Sequence, residues 1–238
     1  MIDAIKCERE GVKALHDGPI DPVQWFLRVD SDQDRVLFLL KNAYDATGHD
    51  MGGYDLCEGK RELNNLEDVK NEDAPPTYIP MIYICNMLEK DCSFSQVNIE
   101  TETSFSVFKS SSAWVNVDKE LWPKDWRTNE SKLARAAKLN YEVLCQQMKT
   151  YRPNVIICGG TLKHFIKTVP GGYSIFEFQI PASNIRRLPH TPGRLCYYND
   201  QVIIFDAYHP SSATSFNNPP LQHYCNDIVS AIKEWKEE

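Results

Sequence analysis

The sequence predicts a single α/β domain in three layers, in which helices cover both faces of a central, mostly parallel sheet of four strands. Three observations predict this fold: four short apolar runs are spread along the chain, helical patterns lie between them, and no break in composition divides the 238 residues. Strands that alternate with helices are typical of a doubly wound parallel sheet. One domain over residues 1–238 is therefore expected.

Each predicted strand is a continuous apolar run rather than an alternating one. Continuous runs are typical of parallel strands that are buried on both faces. The four runs are residues 35–41 (RVLFLLK), 113–117 (AWVNV), 154–158 (NVIIC) and 202–206 (VIIFD). The sequence therefore predicts a sheet with both faces covered.

The clearest helical pattern covers residues 130–151, where apolar side chains recur at steps of three and four residues before Pro153 ends the pattern. A second helix is predicted over residues 78–88 and a last amphipathic helix over 221–235. Residues 91–112 are rich in Ser and Thr without a helical period, and a loop with at most one irregular strand is expected there. In the last helix, the side chains predicted to face inward are Ile228, Ile232 and Trp235.

The composition places the chain among globular proteins, since 42% of its residues are hydrophobic and 25% are charged. No apolar run reaches the roughly 18 residues that a membrane span needs, and the first residues show no signal-peptide core. The eight cysteines form neither a CxxC pair nor a zinc-type cluster. We therefore expect a cytoplasmic protein with reduced thiols, most of them in the core, and without a metal, iron–sulfur cluster or other cofactor.

The formal net charge of −7 argues against a broad nucleic-acid-binding surface. Net charge does not determine the local potential, because a small basic rim can surround one pocket on an acidic protein. The composition therefore allows an enzyme that holds DNA at one site.

Polar residues follow the predicted strands. Asn42 and a glycine-punctuated loop follow the first run, Asn116 lies within the second, Gly159 and Gly160 follow the third, and His209 follows the fourth. Taken singly, each of these residues is more typical of a turn or a cap than of a reactive group. Ligands of doubly wound sheets bind outside the carboxyl ends of the strands. Together, the residues therefore predict a pocket at that edge.

The order of these segments resembles the uracil-DNA glycosylase superfamily over about residues 35–217. The stretch KNAY (41–44) stands where the family has its first motif, and Asn116 stands where the family has an Asn that reads the base. A helix that leads through Arg-Pro (152–153) into the third strand is similar to the family pattern. The strongest match is His-Pro-Ser (209–211) after the last core strand.

The resemblance implies an enzyme of the base excision repair type, which cleaves the N-glycosidic bond of uracil or another deaminated base in DNA. It implies that Asn42 orients the attacking water and that His209 donates to the O2 atom of the pyrimidine. The implied base-binding residues are Tyr44, Tyr54 and Asn116. The implied DNA-contacting loop after the last strand includes Ser211, Ser212 and Phe216, and the closest match to the position of the family's DNA wedge is Ala213.

Two alternatives remain at this point. A protein of the same fold without catalysis would bind a nucleic acid, a nucleotide or a protein partner. An unrelated α/β nucleotide-binding enzyme is the third possibility, although the sequence has neither a Walker lysine motif nor GxGxxG.

Overall fold

The computed structural model describes residues 17–31, 33–45, 63–71, 75–123, 129–165, 175–176, 184–215 and 219–238. The strands within these ranges are β1 (Gly18–Pro19), β2 (Val36–Leu40), β3 (Ala43–Asp45), β4 (Ser112–Asn116), β5 (Leu121–Pro123), β6 (Val155–Gly159), β7 (Ile185–Arg187), β8 (Leu195–Tyr198) and β9 (Ile203–Ala207). The α-helices are α1 (Pro22–Leu27), α2 (Leu66–Asn71), α3 (Pro75–Glu89), α4 (Glu102–Ser111), α5 (Glu130–Leu139), α6 (Tyr141–Tyr151), α7 (Ser211–Ser215) and α8 (Leu221–Lys236).

The central sheet has the strand order β1-β4-β2-β6-β9-β8-β7. The four predicted apolar runs are its central strands β4, β2, β6 and β9, which are parallel and begin and end within one residue of the prediction. The predicted count of four strands is wrong, because β1, β8 and β7 extend the sheet to seven strands by antiparallel pairing. These flanking strands are only two to four residues long, which is too short for a run in the sequence to reveal them.

The four central strands are buried on both faces, as the continuous runs predict. In β2, the side chains of Val36, Phe38 and Leu40 belong to one hydrophobic cluster, while those of Leu37 and Leu39 belong to the other. The first cluster contains the inner faces of α3, α4 and α8, and the second contains those of α5 and α6. Successive side chains of a strand point to opposite faces, so helices on both sides complete three layers.

The single helix predicted over residues 130–151 is two helices, α5 and α6, which meet at Asn140. The backbone of Asn140 leaves the helical region with φ −96° and ψ 10°. Its side-chain Nδ2 donates to the carbonyl oxygen of Val117 at 2.9 Å, just beyond the carboxyl end of β4. A tertiary contact therefore breaks a helix that the apolar period alone would continue.

The loop predicted over residues 91–112 is wrong, because this segment contains a short 3-10 turn (Phe94–Gln96) and the helix α4. Thr101 caps α4, and its hydroxyl oxygen accepts from the backbone N–H of Ser104 at 3.3 Å. Phe105 and Phe108 are fully buried against the sheet. Serines on either side of these two phenylalanines weaken the apolar period, and tertiary packing supplies the stability that the local pattern lacks.

The other two predicted helices are present with slightly longer bounds, as α3 and α8. Ile228 and Ile232 are buried as predicted. Trp235 is partly buried, and its indole Nε1 donates to the carbonyl oxygen of Asn199 at 2.6 Å. The last turn of α8 is therefore fixed by a polar contact as well as by packing.

Candidate functional site

The structure places three of the predicted site residues at one edge of the sheet. Leu40, the last residue of β2, pairs with Asn116, the last residue of β4, and Asn42 follows two positions after Leu40. Ala207 ends the parallel strand β9, which β6 separates from β2, and His209 follows it by two positions. Because these strands are parallel, Asn42, Asn116 and His209 all lie at the carboxyl edge.

Asn116 is completely buried. Its side-chain Oδ1 accepts from the indole Nε1 of Trp114 at 3.3 Å, which identifies the other side-chain atom as the nitrogen. That atom, Nδ2, has no hydrogen-bond partner within the part of the chain that the structure describes. A buried, unsatisfied N–H group costs about 1–3 kcal/mol, so a ligand oxygen that accepts from it would be bound favourably.

A buried ionic network lies behind Asn116. The Asp17 carboxylate accepts from the backbone N–H of Asn116 at 2.6 Å and from the Lys119 ammonium at 2.7 and 2.8 Å. Gln147 of α6 accepts from Lys119 at 2.9 Å and donates to Asp17 at 2.7 Å. The side chains of Asp17 and Lys119 are 0% and 3% exposed, so full hydrogen bonding is needed to offset their desolvation.

The ring of His209 is held by the first turn of α7. Its Nδ1 lies 2.8 Å from the hydroxyl oxygen of Ser211 and 3.4 Å from the backbone nitrogen of Ser211. A backbone N–H can only donate, so Nδ1 is an acceptor and the proton of the neutral ring is on Nε2. Burial, together with the nearby charge of Lys41, lowers the pKa of His209 to about 4, so the ring is neutral at pH 7.

The glycine pair after β6 allows neighbouring segments to approach closely. A Cβ atom on Gly159 would lie 2.7 Å from Cδ2 of Leu40 and 3.4 Å from the Cα atom of His209. A Cβ atom on Gly160, which has φ +74°, would lie 3.1 Å from Cε of Lys41. The side chain of Lys41 therefore passes across Gly160, between the ends of β2 and β9.

A cluster of charged groups borders this edge. The carboxylate of Glu130, the first residue of α5, lies 3.5 Å from the Lys41 ammonium, 2.7 Å from that of Lys163 and 3.5 Å from Nε2 of His164. The hydrogen bond from Lys163, with the charges of Lys41 and Lys163, lowers the pKa of Glu130. Burial lowers the pKa of His164, which favours its neutral form. None of these three neighbours, Glu130, Lys163 and His164, is among the site residues that the sequence predicts.

A second polar cluster lies beyond β9. The buried carboxylate of Asp227 on α8 accepts from the backbone N–H of His190 at 2.9 Å and from the hydroxyl of Thr191 at 2.7 Å, and lies 2.7 Å from Nδ1 of His190. The rings of His190 and His223 are 4.9 Å apart. These contacts attach the turn between β7 and β8 to α8.

The other predicted site residues are Tyr44, Tyr54, Ser211, Ser212 and Phe216. Tyr54 and Phe216 lie outside the described residues, and Tyr44 lies in β3 without a described side chain. Ser211 and Ser212 are half-buried within α7, where a loop was expected. Ala213, the predicted match to the family's DNA wedge, is buried against α3.

A cavity of about 540 Å³ lies at the opposite, amino edge of the sheet. Its described lining is basic and apolar and includes Arg35, Arg152 and Phe176. It contains neither a carboxylate nor an imidazole among the described residues. The predicted site residues Asn42, Asn116 and His209 lie at the other edge of the sheet from this cavity.

Among the residues that the structure describes, no group of three or more His, Cys, Asp or Glu side chains is arranged to hold a metal ion. Four of the six described cysteines are buried: Cys85, Cys158, Cys196 and Cys225. None of the helices in the described ranges combines the length and apolar character that a membrane crossing requires.

A comparison of the chain with protein-family models gives no match. A comparison with curated proteins gives none either. Inferences about function therefore rest on the residues at the carboxyl edge.

Proposed function

We propose that this chain is a DNA glycosylase-like hydrolase that cleaves the N-glycosidic bond of uracil or another deaminated base in DNA. The observation that carries the proposal is the neutral His209, held with Nε2 as its proton-bearing nitrogen at the same edge as Asn42 and Asn116. The order of these residues along the strands supports the resemblance to the uracil-DNA glycosylase superfamily.

A neutral imidazole suits the chemistry of this cleavage. The pyrimidine leaves as an anion, and negative charge grows on its O2 atom as the glycosidic bond breaks. A preorganised N–H donor at that oxygen stabilises the transition state, and loss of one such donor typically slows a reaction about 100- to 1,000-fold. Since His209 remains neutral at pH 7, it carries its single ring proton on Nε2, and this N–H can donate to the O2 atom.

Asn116 supports recognition of a deaminated base. Its buried Nδ2 is a donor that requires an acceptor. Uracil carries a carbonyl oxygen at the position where cytosine carries an amino group, so a fixed donor favours uracil over cytosine. A site that leaves a buried donor unpaired with the wrong ligand discriminates strongly.

Asn42 is the proposed water-orienting residue. It follows β2 at the position where the first motif of the superfamily supplies this function. An amide can hold a water by hydrogen bonds but cannot accept its proton as a carboxylate does. The proposed hydrolysis is therefore slow compared with that of an enzyme with a carboxylate at this position.

Release of the free base tests the proposal. The full chain is incubated with single-stranded oligonucleotides that contain uracil, and with duplexes that place uracil opposite adenine or guanine. We expect free uracil to be released, and expect His209→Ala to lose about 100- to 1,000-fold in rate. Absence of release from uracil and from other deaminated bases in every context would refute the proposal.

A non-catalytic binding protein of the same fold is the second candidate. Two observations favour it: Asn42 stands where a carboxylate would be the stronger base, and Ala213 is buried rather than available to fill the gap left by a flipped base. This candidate predicts binding of uracil-containing DNA without base release.

A further inference from the structure

Three basic side chains converge on the carboxylate of Glu130. The Lys163 ammonium is 2.7 Å from Oε2, and Nε2 of His164 is 3.5 Å from the same oxygen. The Lys41 ammonium is 3.5 Å from Oε1. The two longer distances exceed those of strong charge-assisted hydrogen bonds, so one carboxylate does not satisfy all three groups.

The cluster adjoins the candidate pocket. Lys41 immediately precedes Asn42, and its Cε atom lies 3.1 Å from the Cβ position of Gly160. Its charge also acts on the ring of His209. Lys163 and His164 follow the glycine pair in the 3-10 turn Leu162–His164. A group bound by this cluster would therefore sit beside a base held at Asn42, Asn116 and His209.

The charges of the cluster do not balance. Lys41 and Lys163 carry two positive charges, and Glu130 supplies one negative charge. The nearby charges that act on His164 are those of Glu130, Lys163 and Lys41, so Glu130 is the single acid among them. The Nε2 atom of His164 is buried and makes no hydrogen bond within the described part of the chain.

The geometry suits an anion larger than a carboxylate. A phosphate group presents several oxygens in a tetrahedral arrangement, so donors can reach it from three directions at once. Lysine binds phosphate as a compact charge, and a buried imidazole adds a directional donor. The side chain of Glu130 is 52% exposed, so it can turn towards solvent without unfolding α5.

We propose that Lys41, Lys163 and His164 form a phosphate-binding site beside the candidate pocket, which Glu130 fills as an internal anion until a phosphate group displaces its carboxylate. The inference rests on the proposed function in that the phosphate is assigned to the nucleotide whose base enters the pocket. This basic site is the part of the rim that would attract the substrate to a chain with a net charge of −7.

Charge-neutral variants of the full chain test the site. Glu130→Gln removes the internal anion, and Glu102→Gln is its matched control, because both are exposed glutamates at the first position of a helix. Lys163→Gln removes a proposed phosphate ligand, and Lys138→Gln is the control from the last turn of α5. Binding of a labelled, uracil-free single-stranded oligonucleotide is measured by fluorescence anisotropy over a range of salt concentrations.

We expect Glu130→Gln to bind the oligonucleotide about two- to fivefold more tightly than Glu102→Gln, the range typical of one exposed ionic contact. We expect Lys163→Gln to bind more weakly than Lys138→Gln. The slope of log K against log salt should flatten by about 0.7 for Lys163→Gln, the value for one phosphate contact to a single strand. Thermal unfolding of each variant verifies that it is folded.

Competition by inorganic phosphate and by deoxyuridine monophosphate separates the sources of the phosphate. If both compounds compete more strongly in Glu130→Gln, the site is open to free phosphate groups. If Glu130→Gln raises only the affinity for the oligonucleotide, the site binds the DNA backbone. Equal affinities of Glu130→Gln and Glu102→Gln for every probe would overturn the inference. Because the oligonucleotide lacks uracil, this outcome is independent of base release.

Discussion

The carboxylate of Asp17 accepts the backbone N–H of Asn116 at 2.6 Å and thereby joins the segment before β1 to the carboxyl end of β4. The same carboxylate is bound by the buried ammonium of Lys119. The residue that precedes the edge strand β1 thus fixes the backbone of the residue that we propose reads the base. A variant of Asp17 alone would therefore change both the stability of this edge and the position of Asn116.

Asp17→Asn should destabilise the protein by about 3–5 kcal/mol, because it leaves the buried ammonium of Lys119 without a counter-charge. The double variant Asp17→Asn/Lys119→Met removes both charges and should recover part of this loss. Urea unfolding of the two variants and of the unmodified chain measures the difference. A single variant as stable as the unmodified chain would show that the ion pair is not needed for stability.

The low pKa of His209, about 4, should make stability depend on pH. The unfolded state takes up a proton near pH 6.5, whereas the folded state does so only near pH 4, so stability falls as the pH falls between these values. The shift corresponds to at most about 3 kcal/mol. Urea midpoints at pH 7 and pH 4.5 measure the loss, and His209→Gln should show a smaller one. An equal loss in both proteins would place the pH dependence elsewhere.

The rate of base release should depend on the same titration of His209. If His209 acts as a neutral donor, release of uracil should be nearly constant from pH 7 to pH 5 and should change only near pH 4, where the ring takes up a proton. The pH profile of kcat/KM on a uracil-containing oligonucleotide measures this. A transition near pH 6.5 would show that His209 is not the group that controls the rate.

Asn42→Asp should raise the rate of uracil release, on the order of 100-fold, because a carboxylate beside the attacking water can accept its proton. Asn65→Asp is the matched control, since Asn65 caps α2 and an aspartate caps equally well. Single-turnover kinetics distinguish the chemical step from product release. An unchanged rate in Asn42→Asp, with base release already absent in the unmodified chain, would favour the non-catalytic candidate.

Gly160→Ala and Gly193→Ala should have similar effects on stability but different effects on binding. Both glycines have φ +74°, so each alanine adds backbone strain of about 1–2 kcal/mol. Only the alanine at Gly160 meets a neighbour, the flexible Cε atom of Lys41, whereas nothing lies within 4 Å at Gly193. Gly160→Ala should therefore displace the Lys41 ammonium and weaken oligonucleotide binding. Equal binding by the two variants would show that the position of Lys41 is unimportant.

The elements with continuous local patterns could be predicted from the sequence. The four central strands were recognisable because each is buried on both faces and is therefore apolar throughout. Their carboxyl ends placed Asn42, Asn116 and His209 at a common edge without any coordinates. The flanking strands could not be predicted in this way, because β7 is paired through its backbone and its side chains are largely exposed.

The sequence by itself determined the central sheet, the layers on its two faces and the edge where polar residues gather, because these follow from local periodicity and from the direction of parallel strands. Only the tertiary structure decided the break at Asn140, the ion pair of Asp17 with Lys119, and the group around Glu130. The physical reason is distance along the chain: Asp17 and Lys119 are 102 residues apart. Contacts of this kind leave no periodic pattern, since their partners meet only after the sheet has formed.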